Sequence, residues 1–268
     1  MIDEILRNAP AFILIAVRAL ALIETAPVLS SDSVPQTAKV ALAGFLAFAV
    51  FPTAGIAGWN TLPGIETGPF SLEFLLLIIG EGVIGIIIGF FMTIIFAAFS
   101  TAGQFFSLQM GFGASETFDP LSQIENPLLG QFLNLVAMLT FLVIGGFRKL
   151  FLEGFWRSIQ SLSIVELARG HDHVIMSLAG GLTRLFIDAL IISMPILGTL
   201  FLVSLSTGLI SKAAPQINLL SEGFPIAIMV GFILMLAITP FMVEGFARVL
   251  ESGFQSLEDL FINVGGQI

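Results

Sequence analysis

The chain contains no cysteine, no tyrosine, only two tryptophans and few charged residues. Charged side chains make up 11% of its 268 residues, whereas a soluble domain averages about 25%. The absence of cysteine excludes disulfide, iron–sulfur and thiolate chemistry. The formal net charge of −9 argues against a nucleic-acid partner, because nucleic-acid binding needs a basic surface.

Apolar residues are abundant instead. They make up 56% of the chain, and the mean hydropathy is +1.02, which predicts an all-α, membrane-type protein of long hydrophobic helices. Phenylalanine occurs 27 times, yet the Trp and Tyr residues that usually line both membrane interfaces are nearly missing. Either the composition is biased towards Phe, or much of the surface meets other protein subunits instead of lipid headgroups.

Six apolar segments can be marked, and two of them are about thirty residues long. At 1.5 Å per residue such a segment is about 45 Å long, more than the roughly 30 Å hydrocarbon core, so it must tilt, project or lie inside protein. Six spans would put both termini on one side, and the distribution of Lys and Arg favours cytoplasmic termini. The segments are 9–29, 39–51, 70–99, 127–147, 174–203 and 224–250.

The stretch 103–120 does not have the composition of a hydrophilic connector. It contains three Gly, four Phe and one Met, with no Lys or Arg, and we predict a flexible apolar loop between helices. Large apolar groups exclude water, Met fits irregular gaps, and glycines let the backbone turn. The alternative is that the phenylalanines pack as core and the glycines only make a turn. The loop residues of interest are Phe105, Phe106, Gln109, Met110, Gly111, Phe112, Gly113, Phe118, Asp119 and Pro120.

The third segment carries a glycine face and an acid. Gly82, Gly85 and Gly89 fall at spacings of three and four, which permits close helix packing. Glu81 is a candidate interior acid, since an ionisable residue in an apolar segment is a functional hypothesis by default. The other interpretation is that this part of the helix lies outside the hydrocarbon.

Other polar residues in apolar segments suggest neutralised pairs. Arg184 and Asp188 are four apart in the fifth segment, and we predict a buried ion pair on one helix face. Arg18 has no partner at that spacing, so it pairs with another helix or snorkels. His171-Asp172-His173 is a fragment of a possible metal site, but no third or fourth ligand can be named, so we predict no metal.

No enzyme chemistry is supported by these residues. Intramembrane proteolysis needs a serine and a distant histidine or two aspartates in spans, and nucleotide binding needs a Gly-rich loop ending in Gly-Lys-Ser/Thr. We therefore predict no catalytic residue and no cofactor. A proton-coupled small-molecule or ion transporter remains an alternative, with helices broken at Pro195 and Pro240 and with Glu81 and Asp188 as coupling acids. A third alternative is a purely structural scaffold.

Several short motifs occur in an order that resembles the FliR family of flagellar and type III secretion export-gate proteins. The similarity covers about residues 10 to 250, and its more specific pieces are the element from Gln109 to Pro120 and the Pro215-Gln216-x-Asn218 element. Phe147 departs from the family pattern, which often has a histidine after the double glycine. The motifs are Ala26-Pro27-Val28-Leu29-Ser30, Val34-Pro35, Glu81 with its three glycines, Gly103, Gln109-x-Gly111, Asp119-Pro120, Gly145-Gly146, Pro195, Ala214-Pro215-Gln216-Ile217-Asn218 and Gly223-Phe224-Pro225.

The resemblance implies a subunit of a helical export gate, not an enzyme. Its implied partners are FliP-like and FliQ-like subunits, FlhB-like and FlhA-like export components, and unfolded substrate proteins in transit, in a membrane-associated hetero-oligomer of the bacterial inner membrane and flagellar basal body. Its implied fold is a FliP-like part (1–173, with the loop 103–120) joined to a FliQ-like helical hairpin and tail (174–268). In the family, a loop matching 103–120 plugs the pore of the closed gate.

Overall fold

The computed structural model describes residues 8–54, 71–112, 128–214 and 219–265, and most of these residues are helical, with no β-strand among them. The all-α prediction is therefore confirmed over the described part of the chain. The helices are α1 (Ala9–Thr25), α2 (Gln36–Val50), α3 (Leu72–Met110), α4 (Leu128–Val143), α5 (Gly146–Lys149), α6 (Arg157–Ser161), α7 (Ile164–Arg169), α8 (His171–Ala213) and α9 (Leu219–Gly265), with a 3₁₀ turn at Phe51–Thr53 and a π-helix at Leu150–Trp156.

Local sequence signals account for several helix ends. A proline opens α1, where a missing N–H costs nothing, and Ala26 adopts an extended conformation before Pro27. Helix α7 begins with a capping box in which Ser163 and Glu166 bond each other's backbone N–H groups. Gly145 takes the left-handed conformation between α4 and α5, which glycine adopts without a Cβ clash.

The three longest helices exceed the predicted segments. Helices α3, α8 and α9 have 39, 43 and 47 residues, or about 58, 64 and 70 Å at 1.5 Å per residue. Helix α9 continues through the acidic stretch 251–265, beyond the sixth predicted segment, and α8 begins at His171, before the fifth predicted segment. Pro195, Pro225 and Pro240 lie inside these helices, so none of them ends a helix.

Four helices are long and apolar enough to cross a membrane, or up to five if the two helical stretches on either side of Gly145 form one broken span. This finding applies to the described residues, and it does not confirm the predicted count of six. Helix α1 has 17 residues, about 26 Å, which is short of the roughly 30 Å hydrocarbon core. The placement of both termini on one side remains a prediction.

The chain divides into two compact units. Unit 1 comprises 1–94, 145–181 and 251–268, and unit 2 comprises 95–144 and 182–250. Since α3, α8 and α9 each pass from one unit to the other, both units are assembled from distant parts of the sequence. The predicted division at residue 173 concerns resemblance to other subunits and remains a prediction.

Unit 1 is built on the close pairing of α1 with α3. A Cβ added at Gly85 would meet the backbone of α1 at Arg18 and Leu22, and one added at Gly89 would meet Thr25. The Thr93 hydroxyl donates to the Thr25 carbonyl oxygen at 3.0 Å. Because nothing larger than hydrogen fits at Gly85, this glycine fixes how near the two helices approach.

Candidate functional site

The predicted apolar loop begins later than its predicted start at Gly103. Residues 103–110 continue α3 as a helix, so a loop start at Gly103 is wrong. Gly103 packs against the backbone of Leu129 and Gly130 in α4, and a single glycine in an apolar helix costs only about 1 kcal/mol. Packing of this helix turn in unit 2 outweighs that cost.

Helix α3 stops at Gly111 through a specific set of backbone bonds. Gly111 has a φ of 89°, and its N–H donates to the Leu108 oxygen at 3.1 Å. The N–H of Phe112 donates to the Ser107 oxygen at 3.0 Å. A left-handed glycine with these two bonds is the Schellman motif, which satisfies the last carbonyls of a helix.

The apolar residues at this helix end have different environments. Phe106 and Met110 are fully buried, while Phe112 is 38% exposed and is the last described residue before position 128. Phe105 and Gln109 are half-buried. The remaining predicted loop residues, Gly113, Phe118, Asp119 and Pro120, lie outside the described residues.

Met110 occupies a notch on α9. A Cβ built on Gly231 would collide with the Met110 methyl group and lie 3.0 Å from its sulfur. Both residues belong to unit 2. The thioether therefore fills the space that the missing side chain leaves, the kind of irregular gap that Met suits.

An aromatic cluster lies in the same unit. Phe99 and Phe246 have ring centroids 4.5 Å apart, and Phe96 meets Phe141 edge-on at 5.5 Å. All four rings are at most 4% exposed. These contacts join α3, α4 and α9 about three turns before α3 ends, so this part of α3 lies in a packed core.

A buried ion pair forms the polar centre of unit 1. The Arg18 Nε donates to the Glu81 Oε2 at 2.6 Å, and their side chains are 0% and 4% exposed. The Arg18 Nη1 also donates to the Ser158 carbonyl oxygen at 2.5 Å, and Nη2 to the Leu162 oxygen at 2.8 Å. The interior acid predicted at Glu81 is therefore charge-paired, and the partner that the sequence left open for Arg18 is Glu81 of another helix.

A second network joins the ends of α1 and α2. The Lys39 Nζ donates to the Glu24 Oε2 and to the Ser30 carbonyl oxygen, each at 3.1 Å. Gln36 donates to the other Glu24 oxygen. Lys39 is only 5% exposed, so this network keeps a charge compensated at the turn between the two helices.

The remaining predicted polar residues lie nearer the surface of the chain. Arg184 Nε and Asp188 Oδ2 are 3.6 Å apart, with side chains 46% and 18% exposed, so burial of the pair would need cover from outside the chain. His171, Asp172 and His173 are exposed in the first turn of α8. Within the described residues no group of three His, Cys, Asp or Glu side chains is placed to hold a metal.

Comparison with known proteins identifies the relatives of this chain. The profile of the family described as "Bacterial export proteins, family 1" matches residues 9–253. The chain belongs to the FliR family of bacterial export proteins. It is 33% identical to the flagellar biosynthetic protein FliR of Escherichia coli over 91% of this chain and 89% of that protein. It is 28% identical to the Bacillus subtilis protein of that name, over 98% of this chain and 99% of that protein.

In this FliR-family chain, the sequence did not predict the contacts that fix the end of α3 or those that surround the buried ion pair. The roles of Gly231, Gly130 and Ser158 were not predicted, because a single small residue in an apolar helix forms no recognisable sequence pattern. One signal was available for the ion pair. Arg18 is the one basic residue of α1, and α3 carries two acids, Glu73 and Glu81. A pair between the two helices is therefore expected, since an uncompensated buried charge is costly.

Proposed function

We propose that this chain is a subunit of the flagellar type III protein export gate, the FliP–FliQ–FliR complex, and that it helps form and seal the channel for unfolded flagellar proteins. The observation that carries the proposal is family membership over residues 9–253, together with relatives that are named flagellar biosynthetic proteins. The absence of a candidate catalytic constellation from the sequence fits a non-enzymatic subunit.

The outer surface of the long helices supports a hetero-oligomer in a membrane. Much of α8 and α9 within unit 2 exposes large apolar side chains, such as Phe201 at 60%, Leu236 at 79% and Phe241 at 73%. A soluble monomer rarely exposes so much apolar surface, which marks contact with protein or lipid. We assign this surface to FliP-like and FliQ-like neighbours, with FlhB-like and FlhA-like components nearby, in the bacterial inner membrane at the flagellar basal body.

The division into a FliP-like part (1–173) and a FliQ-like hairpin (174–268) belongs to the same proposal. It is supported by the two very long helices α8 and α9, which follow one another in the chain.

Sealing is assigned to the loop that follows α3. At rest, a channel for unfolded chains must exclude water and ions, and apolar constrictions do this by dewetting. Phe112 stands partly exposed directly after the rigid Schellman end of α3. The loop thus starts from a fixed point.

Replacement of the loop phenylalanines tests the seal. Phe112→Ala together with Phe118→Ala should make the membrane leaky to ions while the complex still assembles, because the apolar plug loses volume and its base does not. Ion leak is measured as growth sensitivity and membrane depolarisation in cells that produce the gate. Phe45→Ala, which changes a 66% exposed phenylalanine on α2, is the matched control, and full ion tightness in the double variant would refute the plug.

Co-purification tests the assembly itself. The chain carrying an affinity tag should retain FliP-like and FliQ-like subunits in detergent. A stable monomer or homodimer that transports ions would instead support the transporter alternative. The ion pairs argue against that alternative, because both of its proposed coupling acids, Glu81 and Asp188, already face an arginine.

A further inference from the structure

A sharp turn in unit 1 separates the helical run Gly146–Ser161 from α7. Leu162 is extended, with φ −117° and ψ 107°, and Ser163 caps the start of α7. The last carbonyls of a helix accept donors from outside the regular helical ladder. Here the Ser158 oxygen already accepts the Leu162 N–H at 2.9 Å and can accept a second donor, and the Leu162 oxygen lies beyond the last helical turn. Ser158 and Leu162 are 0% and 3% exposed, so water does not readily supply these donors.

Arg18 supplies the donors from another helix. Its Nη1 lies 2.5 Å from the Ser158 carbonyl oxygen and 3.2 Å from the Ser158 hydroxyl, and its Nη2 lies 2.8 Å from the Leu162 oxygen. A positive charge at a helix C-terminus is favourable, because the helix dipole places partial negative charge there. The guanidinium thus acts as a C-terminal cap donated by α1.

Glu81 holds this guanidinium from the opposite side. It contacts Nε, while both terminal nitrogens contact the turn. The carboxylate also neutralises a cation that is completely buried and would otherwise be very costly. Since α1 and α3 are already locked together at Gly85, the guanidinium is fixed to that pair, and the turn is placed relative to it.

We propose that Arg18 is a positioning residue that sets the turn at Leu162–Ser163 and seats α7 against α3, with Glu81 acting through Arg18. This turn places Ile164, the first residue of α7, against the apolar cluster of Leu14, Phe74 and Leu77. This inference concerns the internal architecture of unit 1 and does not depend on the export role.

A cysteine pair can report on the seating of α7, because the natural chain contains no cysteine. The Cβ position at Gly80 of α3 lies 3.3 Å from the Ile164 Cβ, close to the 3.5–4.5 Å range of disulfides. Gly80→Cys with Ile164→Cys should therefore cross-link readily under mild oxidation in membranes holding the full-length chain. The Cβ position at Gly82 lies 3.8 Å from the Val17 Cγ1, so Val17→Cys with Gly82→Cys reports separately on the α1–α3 pair.

Two changes at the arginine distinguish positioning from plain charge pairing. Arg18→Lys keeps the charge but offers donors from a single nitrogen, whereas the acceptors are reached by three separate nitrogens of a planar group. The exchange Arg18→Glu with Glu81→Arg keeps an ion pair but turns a carboxylate towards the carbonyl oxygens. We expect both to slow the 80–164 cross-link at least fivefold while the 17–82 cross-link is retained.

Two further variants serve as controls. Ser158→Ala removes only the hydroxyl at 3.2 Å and keeps the carbonyl acceptor, and Lys39→Ala removes a buried cation elsewhere in unit 1. Both should leave the 80–164 cross-link within twofold of the unchanged rate. The proposal is overturned if Arg18→Lys or the charge exchange cross-links 80–164 normally. It is also overturned if both cross-links fail together, since Arg18 would then support the whole unit and not the turn.

Discussion

At the scale of single residues, Gly85 shows how one missing side chain sets a helix–helix distance. A Cβ there would lie 2.8 Å from the Ala21 Cβ and 3.0 Å from the Leu22 nitrogen, and it would also strike the Arg18 carbonyl oxygen. Backbone atoms cannot rotate away as a flexible side-chain tip can. The two helices would have to move apart, and the Arg18–Glu81 pair one turn away would be strained with them.

We therefore predict that Gly85→Ala destabilises the chain by about 1–3 kcal/mol, the usual cost of overpacking a close-packed interior. Thermal unfolding of the detergent-solubilised protein measures the effect. Gly44→Ala is the control, because no atom lies within 4 Å of a Cβ at that helical position. There the same change should stabilise α2 by about 0.5–1 kcal/mol, since glycine is the poorer helix former. Equal effects of the two variants would contradict the close-packing argument.

The sequence predicted that these glycines pack closely against another helix, but not which residues they contact. The spacing of Gly82, Gly85 and Gly89 indicates a small face on α3, yet Gly82 meets α1 only at ordinary contact distance. Nothing in the spacing states which of three glycines lies closest to the neighbouring helix. In the same way, Arg18 and Glu81 are 63 positions apart, and their contact arises only when α1 and α3 pack together.

At the scale of helices and loops, the end of α3 decides where the proposed plug begins. Gly111 occupies the left-handed position of a Schellman motif, and a residue with a Cβ pays about 1–2 kcal/mol there. Met110, immediately before it, is anchored on Gly231. The helix end is thus fixed both by its own backbone bonds and by packing within unit 2.

We predict that Gly111→Ala weakens this helix end by roughly 1–2 kcal/mol and speeds amide exchange in residues 107–112. Gly111→Asn should be milder, because asparagine tolerates the left-handed conformation better than alanine. Hydrogen–deuterium exchange with mass spectrometry measures both variants. Gly208→Ala on α8, where a Cβ meets nothing within 4 Å, should leave exchange at 107–112 unchanged. Faster exchange in that control, or none in Gly111→Ala, would disprove the assigned role of the glycine.

The location of the three longest helices was predictable from hydrophobicity, but their lengths were not. Apolar runs mark most of α3, α8 and α9, and these helices extend beyond the runs because polar residues such as Gln104 and Gln255 continue on exposed faces. Between Phe99 and Gly111 there is no proline or charged run, so nothing in the sequence ends α3 before the Schellman glycine. The glycine and phenylalanine content of that stretch is typical of an apolar loop, but Gly103 alone does not end a helix that has no stop signal.

At the scale of the whole molecule, the exposed apolar surface needs to be covered by lipid or by another protein. On α9, Met229, Ile233 and Leu236 follow helical spacing and are 59%, 59% and 79% exposed, so they form one apolar stripe. The sequence indicated this demand through its composition, with abundant Phe and few interfacial Trp and Tyr residues. Whether lipid or protein meets the stripe is a property of the assembly, which one chain's sequence does not encode directly.

We predict that Ile233→Asp abolishes retention of FliP-like and FliQ-like subunits while the chain itself still enters the membrane. In a protein interface, one buried, unpaired carboxylate costs several kcal/mol, enough to reduce co-purification more than tenfold. A lipid-facing carboxylate would instead hinder insertion, because charged residues near the bilayer centre are costly. Gln255→Asp, at an exposed polar position of the same helix, is the control and should retain the partners.

Membrane fractionation and co-purification together separate the outcomes. Loss from the membrane assigns the stripe to lipid, loss of partners alone assigns it to the assembly, and normal behaviour in both measurements would leave the stripe without a role in either.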